Sequence, residues 1–228
     1  MKNNTAQRLF IFAGTAILIL TLFLSLSNVN MHLVWATVIQ CPTGTAFECI
    51  GTDAADDITG TGNPDRMEGK LGNDLIKGLG GEDNMNGNRL SVSGPFFPDD
   101  DQMNGGSGKD TMIGELGQDI MDAGSGNDLV NGLLPIPVLT FPMFDDDQEN
   151  GGSGNDKIEG NGGSDVLSGG SGNDVIYHWT ESRGTQSDAP GDAGTDTISC
   201  GSGSDEVFMN TSIDGDTAAA DCEIVHTG

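Results

Sequence analysis

The sequence has 228 residues, of which 35% are hydrophobic and 5% aromatic, while glycine alone occupies 36 positions. The formal net charge is −26 at pH 7. This composition excludes a large aromatic-rich enzyme core. So acidic a surface also repels nucleic acids and anionic membranes, and cations are the expected partners instead.

The first 36 residues are typical of an export signal. Lys2 and Arg8 precede the uncharged apolar stretch 9–26, and a cut after Ala36 would have small or modest residues at its −3 and −1 positions. An uncleaved membrane anchor is the alternative, because eighteen apolar residues approach the length of a membrane span. We therefore predict a signal peptide or an N-terminal anchor at 1–36, with the remaining chain secreted or held at the cell surface.

Four cysteines, Cys41, Cys49, Cys200 and Cys222, flank the central region, and they permit three pairings. Short-range pairing, of Cys41 with Cys49 and of Cys200 with Cys222, would tie the two ends of an elongated body. Disulfides fit an exported chain better than a zinc site does, because no CxxC or Cys/His spacing typical of zinc is present. We expect residues 37–50 to form a disulfide-tied lead-in.

A nine-residue repeat fills residues 51–208. Its most regular units are GGSGNDKIE from Gly151 and GGSGNDVIY from Gly169, and we number the positions of each unit 1 to 9. Aspartate occupies position 6 in every unit, including two interrupted units that keep the phase. The fourteen aspartates at this position are Asp56, Asp65, Asp74, Asp83, Asp101, Asp110, Asp119, Asp128, Asp147, Asp156, Asp165, Asp174, Asp196 and Asp205.

The pattern within each unit predicts a short strand followed by a turn. Position 8 is apolar in nearly every unit, whereas positions 7 and 9 are mostly polar, so a three-residue strand would direct only position 8 inward. Positions 1 to 6 are rich in glycine, which tolerates the positive φ of sharp turns. Two units would then form one flattened coil of eighteen residues, and coils would stack about 4.8 Å apart. A disordered acidic linker, the alternative, would not need the fixed phase of position 8.

Stacking the coils brings carboxylates together. Asp156 and Asp174, on successive coils, would lie about 5 Å apart and repel each other by roughly 3 kcal/mol at an effective dielectric near 20. A Ca²⁺ ion between coils removes this repulsion, because its oxygen ligands lie about 2.4 Å away. We predict as ligands the fourteen position-6 aspartates and backbone carbonyls of the turns. The carbonyls are those of Gly105, Gly108, Gly151, Gly154, Gly169 and Gly172.

These units resemble the repeats-in-toxin, or hemolysin-type, calcium-binding nonapeptide GGxGxDxUx, in which U is a large apolar residue. The resemblance extends from Gly51 to Phe208, and it implies a parallel β-roll, calcium in the turns and secretion. The departures from the pattern are local, and two of them are Ala123 and Cys200, which replace the glycine at position 1. Ala54 and Asn63 replace the glycine at position 4, and Glu149 stands at position 8.

Loops at 88–100, 133–146 and 178–190 interrupt the repeat, and we expect a C-terminal cap at 209–228, because the register is lost from Met209. The apolar segments 94–98 and 133–144 are expected to fold over an edge of the roll. They would alternatively form exposed patches for protein or lipid contact. His178 is expected to pack rather than to catalyse.

The sequence therefore predicts an all-β parallel β-roll of about fourteen units, with loop insertions and a short cap. We expect a secreted calcium-ion-binding protein that folds on Ca²⁺ and has a structural or interaction role, with calcium ions and an extracellular protein or surface as partners. An adhesin-like or lipid-contacting protein acting through the apolar loops is the alternative. A secreted hydrolase is a distant third, which a buried polar cluster around His178 would favour. No HExxH, GxSxG or GxxxxGK[ST] motif is present, and we predict no enzyme.

Overall fold

A computed structural model describes residues 36–43, 48–88, 99–132, 146–178, 194–209 and 215–227, all of them within the unit Val34–Gly228. The apolar stretch 9–26 and the apolar loop segments 94–98 and 133–144 lie outside these described residues. The described ranges contain strands and turns and no helix. No helix long and apolar enough to span a membrane is therefore found among them.

The described strands form two nine-stranded sheets between which the chain alternates. The first sheet contains β1 (Val38–Gln40), β3 (Asp57–Thr59), β5 (Leu75–Lys77), β7 (Gln102–Ser107), β9 (Ile120–Ser125), β11 (Gln148–Ser153), β13 (Val166–Ser171), β15 (Thr197–Ser202) and β17 (Thr217–Ala218). The second contains β2 (Glu48–Ile50), β4 (Arg66–Lys70), β6 (Asn84–Asn88), β8 (Thr111–Ile113), β10 (Leu129–Asn131), β12 (Lys157–Glu159), β14 (Val175–Tyr177), β16 (Glu206–Met209) and β18 (Ile224–Thr227).

Every strand pairs in parallel with the strand one coil away. Ile58 of β3 pairs with Ile76 of β5, and Ile158 of β12 pairs with Ile176 of β14, so the register advances by eighteen residues for each uninterrupted coil. This arrangement is a parallel β-roll, and the predicted fold class is confirmed.

The core consists of two rows of position-8 side chains, one row, or file, from each sheet. In the first sheet the file contains Ile58, Ile76, Met103, Met121, Leu167 and Ile198, and in the second Met67, Met85, Met112, Val130, Ile158, Ile176 and Val207, all of them buried. In most strands the residues at positions 7 and 9 are more exposed than position 8, as in β3, β5 and β8. The inward direction of position 8 is therefore as the repeat predicts. Most coils add only one buried apolar residue to each sheet.

Disulfides lie at both ends of the roll. Cys41 is bonded to Cys49, and Cys200 is bonded to Cys222, so the short-range pairing is the one found. The strands extend beyond the repeat region as well, because β1 and β2 precede Gly51 and β17 and β18 follow Met209. The expectation that the register ends at Met209 is wrong. Asp216-Thr217-Ala218 and Glu223-Ile224-Val225 keep an acidic residue two positions before an apolar one, which is sufficient to add another coil.

Candidate metal centre

The fourteen position-6 aspartates stand in two columns, one preceding the strands of each sheet, and all are buried. Within a column the backbone N–H of each aspartate donates to the carboxylate one coil further on. The distance from the backbone nitrogen of Asp56 to Oδ1 of Asp74 is 2.7 Å, and that from the backbone nitrogen of Asp156 to Oδ1 of Asp174 is 2.9 Å. The first column comprises Asp56, Asp74, Asp101, Asp119, Asp147, Asp165 and Asp196, and the second comprises Asp65, Asp83, Asp110, Asp128, Asp156, Asp174 and Asp205.

The second carboxylate oxygen, Oδ2, is buried without a hydrogen-bond donor in nine of these aspartates. They are Asp74, Asp83, Asp101, Asp110, Asp119, Asp128, Asp156, Asp174 and Asp205. A buried carboxylate oxygen without a donor is costly, and the cost is relieved by protonation or by a cation. The columns are thus lined with oxygen atoms that suit a hard divalent cation.

Burial also raises the pKa of many of these carboxyl groups. It is the largest cause in each case, backbone hydrogen bonds oppose it, and the charges of neighbouring aspartates add to it for several of them. The pKa of Asp101 rises to about 9, that of Asp74, Asp83 and Asp119 to about 7, and that of Asp128 and Asp174 to about 6. Without a metal ion the protein therefore holds these groups closer to neutrality than water would.

Glycines keep the turns open beside the columns. A Cβ atom added to Gly151 would lie 2.7 Å from Oδ2 of Asp156 and 2.8 Å from the carbonyl oxygen of Gly169. A side chain at position 1 would therefore fill the space next to the carboxylate. The same holds for Gly105 and Gly169, whose added Cβ atoms would each lie 2.6 Å from Oδ2 of the aspartate in their own unit.

At position 4 the glycines stack directly on one another. Gly154 and Gly172 have φ values of 138° and 139°, which favour glycine, and a Cβ atom on Gly172 would overlap the carbonyl oxygen of Gly154. A Cβ atom on Gly126 would likewise overlap the carbonyl oxygen of Gly108. Carbonyl oxygens of these turns thus point from one coil toward the next, as oxygen ligands between coils must. That the six predicted glycine carbonyls bind metal stays a prediction.

The first two units hold their aspartates differently, through threonine at position 2. Thr52 donates its backbone N–H and its hydroxyl to Oδ2 of Asp56, at 2.6 and 3.0 Å. Thr61 donates the same two groups to Oδ2 of Asp65, at 2.6 and 2.9 Å. Sequence reasoning missed these bonds, although a hydroxyl residue four positions before the aspartate was the available signal.

Three further acidic residues extend the columns or enter the core. The backbone N–H of Asp196 donates to Asp216 Oδ1 at 3.0 Å, and that of Asp205 donates to Glu223 Oε2 at 2.9 Å, so both columns continue into the last coil. Glu149 occupies its place in the core file between Met121 and Leu167, and both of its carboxylate oxygens are buried without a hydrogen-bond donor. Burial, together with nearby carboxylates, raises its pKa well above the ordinary value.

His178 is buried with the carboxylates of Asp196 and Asp216 at the end of the first column. It does not simply pack in an apolar core, and the buried polar cluster that would favour the hydrolase alternative is present. The cluster was not predictable from local sequence, because its members are separated by 18 and 20 residues.

Three stretches of the chain, 59–89, 97–130 and 145–178, match the family described as the RTX calcium-binding nonapeptide repeat, whose model comprises four copies. The chain carries RTX repeats. It is accordingly a calcium-binding β-roll protein, and its buried, donor-free Oδ2 atoms fit the oxygen ligation that Ca²⁺ requires. No curated protein gives a significant match to the sequence.

Proposed function

We propose that this chain is exported and that Ca²⁺ bound between coils drives the folding of the RTX roll outside the cell, where the roll has a structural or interaction role rather than a catalytic one. The observation that carries the proposal is the double column of buried carboxylates in which Oδ2 lacks a donor. So many buried anions need compensating cations for the folded state to be stable.

The ligands in this proposal are the position-6 aspartates together with the carbonyls of Gly105, Gly108, Gly151, Gly154, Gly169 and Gly172. An ion between two coils would contact the carboxylate of one turn and the carbonyls of its neighbour. The approach of position-4 carbonyls to the next coil supports this geometry, because it brings oxygen atoms from consecutive turns close together. Asp56 and Asp65 are the weakest candidates, since threonine already satisfies their Oδ2 atoms.

Calcium is expected to determine whether the roll folds at all. The apolar core contributes only one or two side chains per strand, while 36 glycines must each lose roughly 1–2 kcal/mol of backbone entropy. A site exposed to calcium at ten times its dissociation constant adds about 1.4 kcal/mol to folding, and several such sites add up. Metal binding and folding would then be one process.

The disulfides support export. Both join cysteines at the ends of the roll, and such bonds persist in oxidising compartments outside the cytosol. The N-terminal pattern of Lys2 and Arg8 before a long apolar stretch agrees with this. Expression of the full chain in a secreting host tests the proposal. Product in the medium with an N-terminus at Thr37 supports it, and product retained in the cytosol contradicts it.

Calcium titration tests the folding proposal. We expect far-UV circular dichroism to show a disordered chain in chelator and a β-rich chain in millimolar calcium, with heat of binding in calorimetry over the same range. Magnesium at the same concentration is the control, because its octahedral geometry and tightly held water suit these turns poorly. Identical spectra in chelator and in calcium would overturn the proposal.

A further inference from the structure

His178 brings a nitrogen donor into a column that otherwise offers only oxygen. Its side chain is 1% exposed, and its Nδ1 atom lies 3.1 Å from Oδ2 of Asp216 and 3.6 Å from Oδ2 of Asp196. One donor atom from each of the three side chains lies within 4.8 Å of the other two. His178 begins the turn that ends at Asp196, Asp216 lies one coil further on, and the three groups converge only in the folded roll.

The position of His178 in the repeat explains why its ring lies there. It follows Tyr177 at the end of β14 and thus occupies position 1, where the preceding coils of the same column have glycine, such as Gly132 and Gly160. A Cβ atom on Gly160 would lie 2.6 Å from Oδ2 of Asp165. A side chain at position 1 is therefore directed at the aspartate column, and only here is that side chain an imidazole.

The separations between the donor atoms match the coordination sphere of a small dication. Zinc binds histidine nitrogen and carboxylate oxygen at about 2.0–2.2 Å, so neighbouring donors around a tetrahedral ion lie roughly 3.4 Å apart. The observed 3.1 and 3.6 Å fall on either side of that separation. Calcium takes oxygen ligands at longer distances, so replacing glycine by histidine changes which metal this end of the column prefers.

We infer that His178, Asp196 and Asp216 form a binding site for a transition-metal dication of the Zn²⁺ type, which takes the place of calcium at the C-terminal end of the first column. Two carboxylates and one neutral imidazole balance the charge of such an ion, which suits a buried position. The ion joins the coil of Asp196 to the last coil, whose strand β17 begins directly after Asp216. The site would fasten the C-terminal end of the roll.

The test uses the full chain saturated with calcium and titrated with Zn²⁺ in a calorimeter. We expect one tight site per chain beyond any weak surface binding. The His178→Ala variant should weaken this site by at least about 100-fold, because loss of an outer-shell partner alone costs about 10–100-fold in metal affinity. His226→Ala is the matched control, since His226 pairs with Glu206 on the second sheet, and it should leave zinc affinity unchanged.

Circular dichroism with and without calcium, recorded on the same samples, separates failure of this site from failure of calcium-driven folding. Zinc affinity that is equal in the wild type and in His178→Ala, or the absence of a stoichiometric zinc site, would overturn the inference. If His178→Ala does not fold, X-ray absorption at the zinc edge of the wild-type chain decides. An imidazole nitrogen in the first shell of Zn²⁺ supports the site, and an oxygen-only shell contradicts it.

Discussion

The turns that contain Asp56 and Asp65 differ from the interior turns in how they satisfy the same carboxylate. In the first two units, threonine at position 2 donates two hydrogen bonds to Oδ2. In interior turns such as those of Asp101 and Asp174, Oδ2 is buried without a donor. The first kind of turn supplies its own hydrogen-bond donors, whereas the second leaves Oδ2 without one and so offers it to a cation.

The backbone at position 2 differs in the same way. Neither Thr52 nor Thr61 has a positive φ, whereas position 2 of the later described units is occupied by residues with φ between 75° and 101°. Most are glycines, but four are not: Lys70, Leu79, Glu115 and Asn161. A positive φ costs a non-glycine residue roughly 1–2 kcal/mol. These four turns therefore keep the same conformation although the residue at position 2 disfavours it.

The residue at position 2 thus distinguishes a turn capped by a side-chain hydroxyl from a turn whose Oδ2 has no donor. Both kinds keep the aspartate and the apolar position 8, and both stack in the same register. We expect the first coil to be the part of the roll that depends least on calcium. The predictions below test this contrast.

The largest expected effect is a pH dependence of the interior turns in chelator. Burial raises the folded-state pKa of Asp101 to about 9 and that of Asp74 to about 7, above the ordinary 3.8. The fold thus favours the protonated carboxyl, so its stability is greatest below about pH 4 and is lost as the pH rises through 6 to 9. Acidification of the calcium-free chain should increase β structure by circular dichroism.

Hydrogen exchange would show which part of the roll gains structure on acidification. Protection should increase more in 99–128 than in 51–68, because the aspartates of the first two turns already have donors for Oδ2. Equal gains in both segments, or a metal-free chain that is insensitive to pH, would contradict the contrast between the two kinds of turn.

Next in size is the effect of neutralising one carboxylate on the number of bound calcium ions. Asp101→Asn removes the charge of an open turn, and we expect it to lower the calcium stoichiometry measured by calorimetry by one or two ions, since an ion between coils contacts both neighbouring turns. Asp56→Asn is the matched variant, and it should lower the stoichiometry by fewer ions, because Thr52 already donates to Oδ2 of Asp56. Loss of the same number of ions in both variants would show that threonine does not replace the metal.

A smaller effect is expected from removing one capping hydroxyl. Thr61→Val keeps the shape of the side chain but deletes the 2.9 Å bond to Asp65, leaving a buried carboxylate less satisfied. We expect a loss of about 1–3 kcal/mol in the free energy of unfolding, measured with urea in saturating calcium. Thr59→Val, at position 9 of the first unit and the last residue of β3, serves as the control. It should change stability by less than about 0.5 kcal/mol.

Much of the roll could be predicted from the sequence, because the repeat specifies both register and burial. The fixed phase of position 8 determined which side chains enter the core, and the phase of position 6 determined which aspartates stack. The rest depends on contacts between residues distant in sequence. His178 meets Asp196 and Asp216 only after two strands have paired, and the last coil keeps an acidic-x-apolar order too short to recognise without its partner strands.

The smallest expected effect comes from relieving the strained backbone of an open turn. Leu79 has a φ of 75° and a side chain that is 54% exposed, so Leu79→Gly removes strain while losing little packing. The strain of roughly 1–2 kcal/mol is partly offset by the greater unfolded-state entropy of glycine, and a net gain of about 0.5–1 kcal/mol should appear in urea unfolding with calcium. Thr61→Gly should destabilise instead, because that turn has no positive φ to relieve and loses its hydroxyl bond. Changes of the same sign in both variants would mean that position 2 does not distinguish the two kinds of turn.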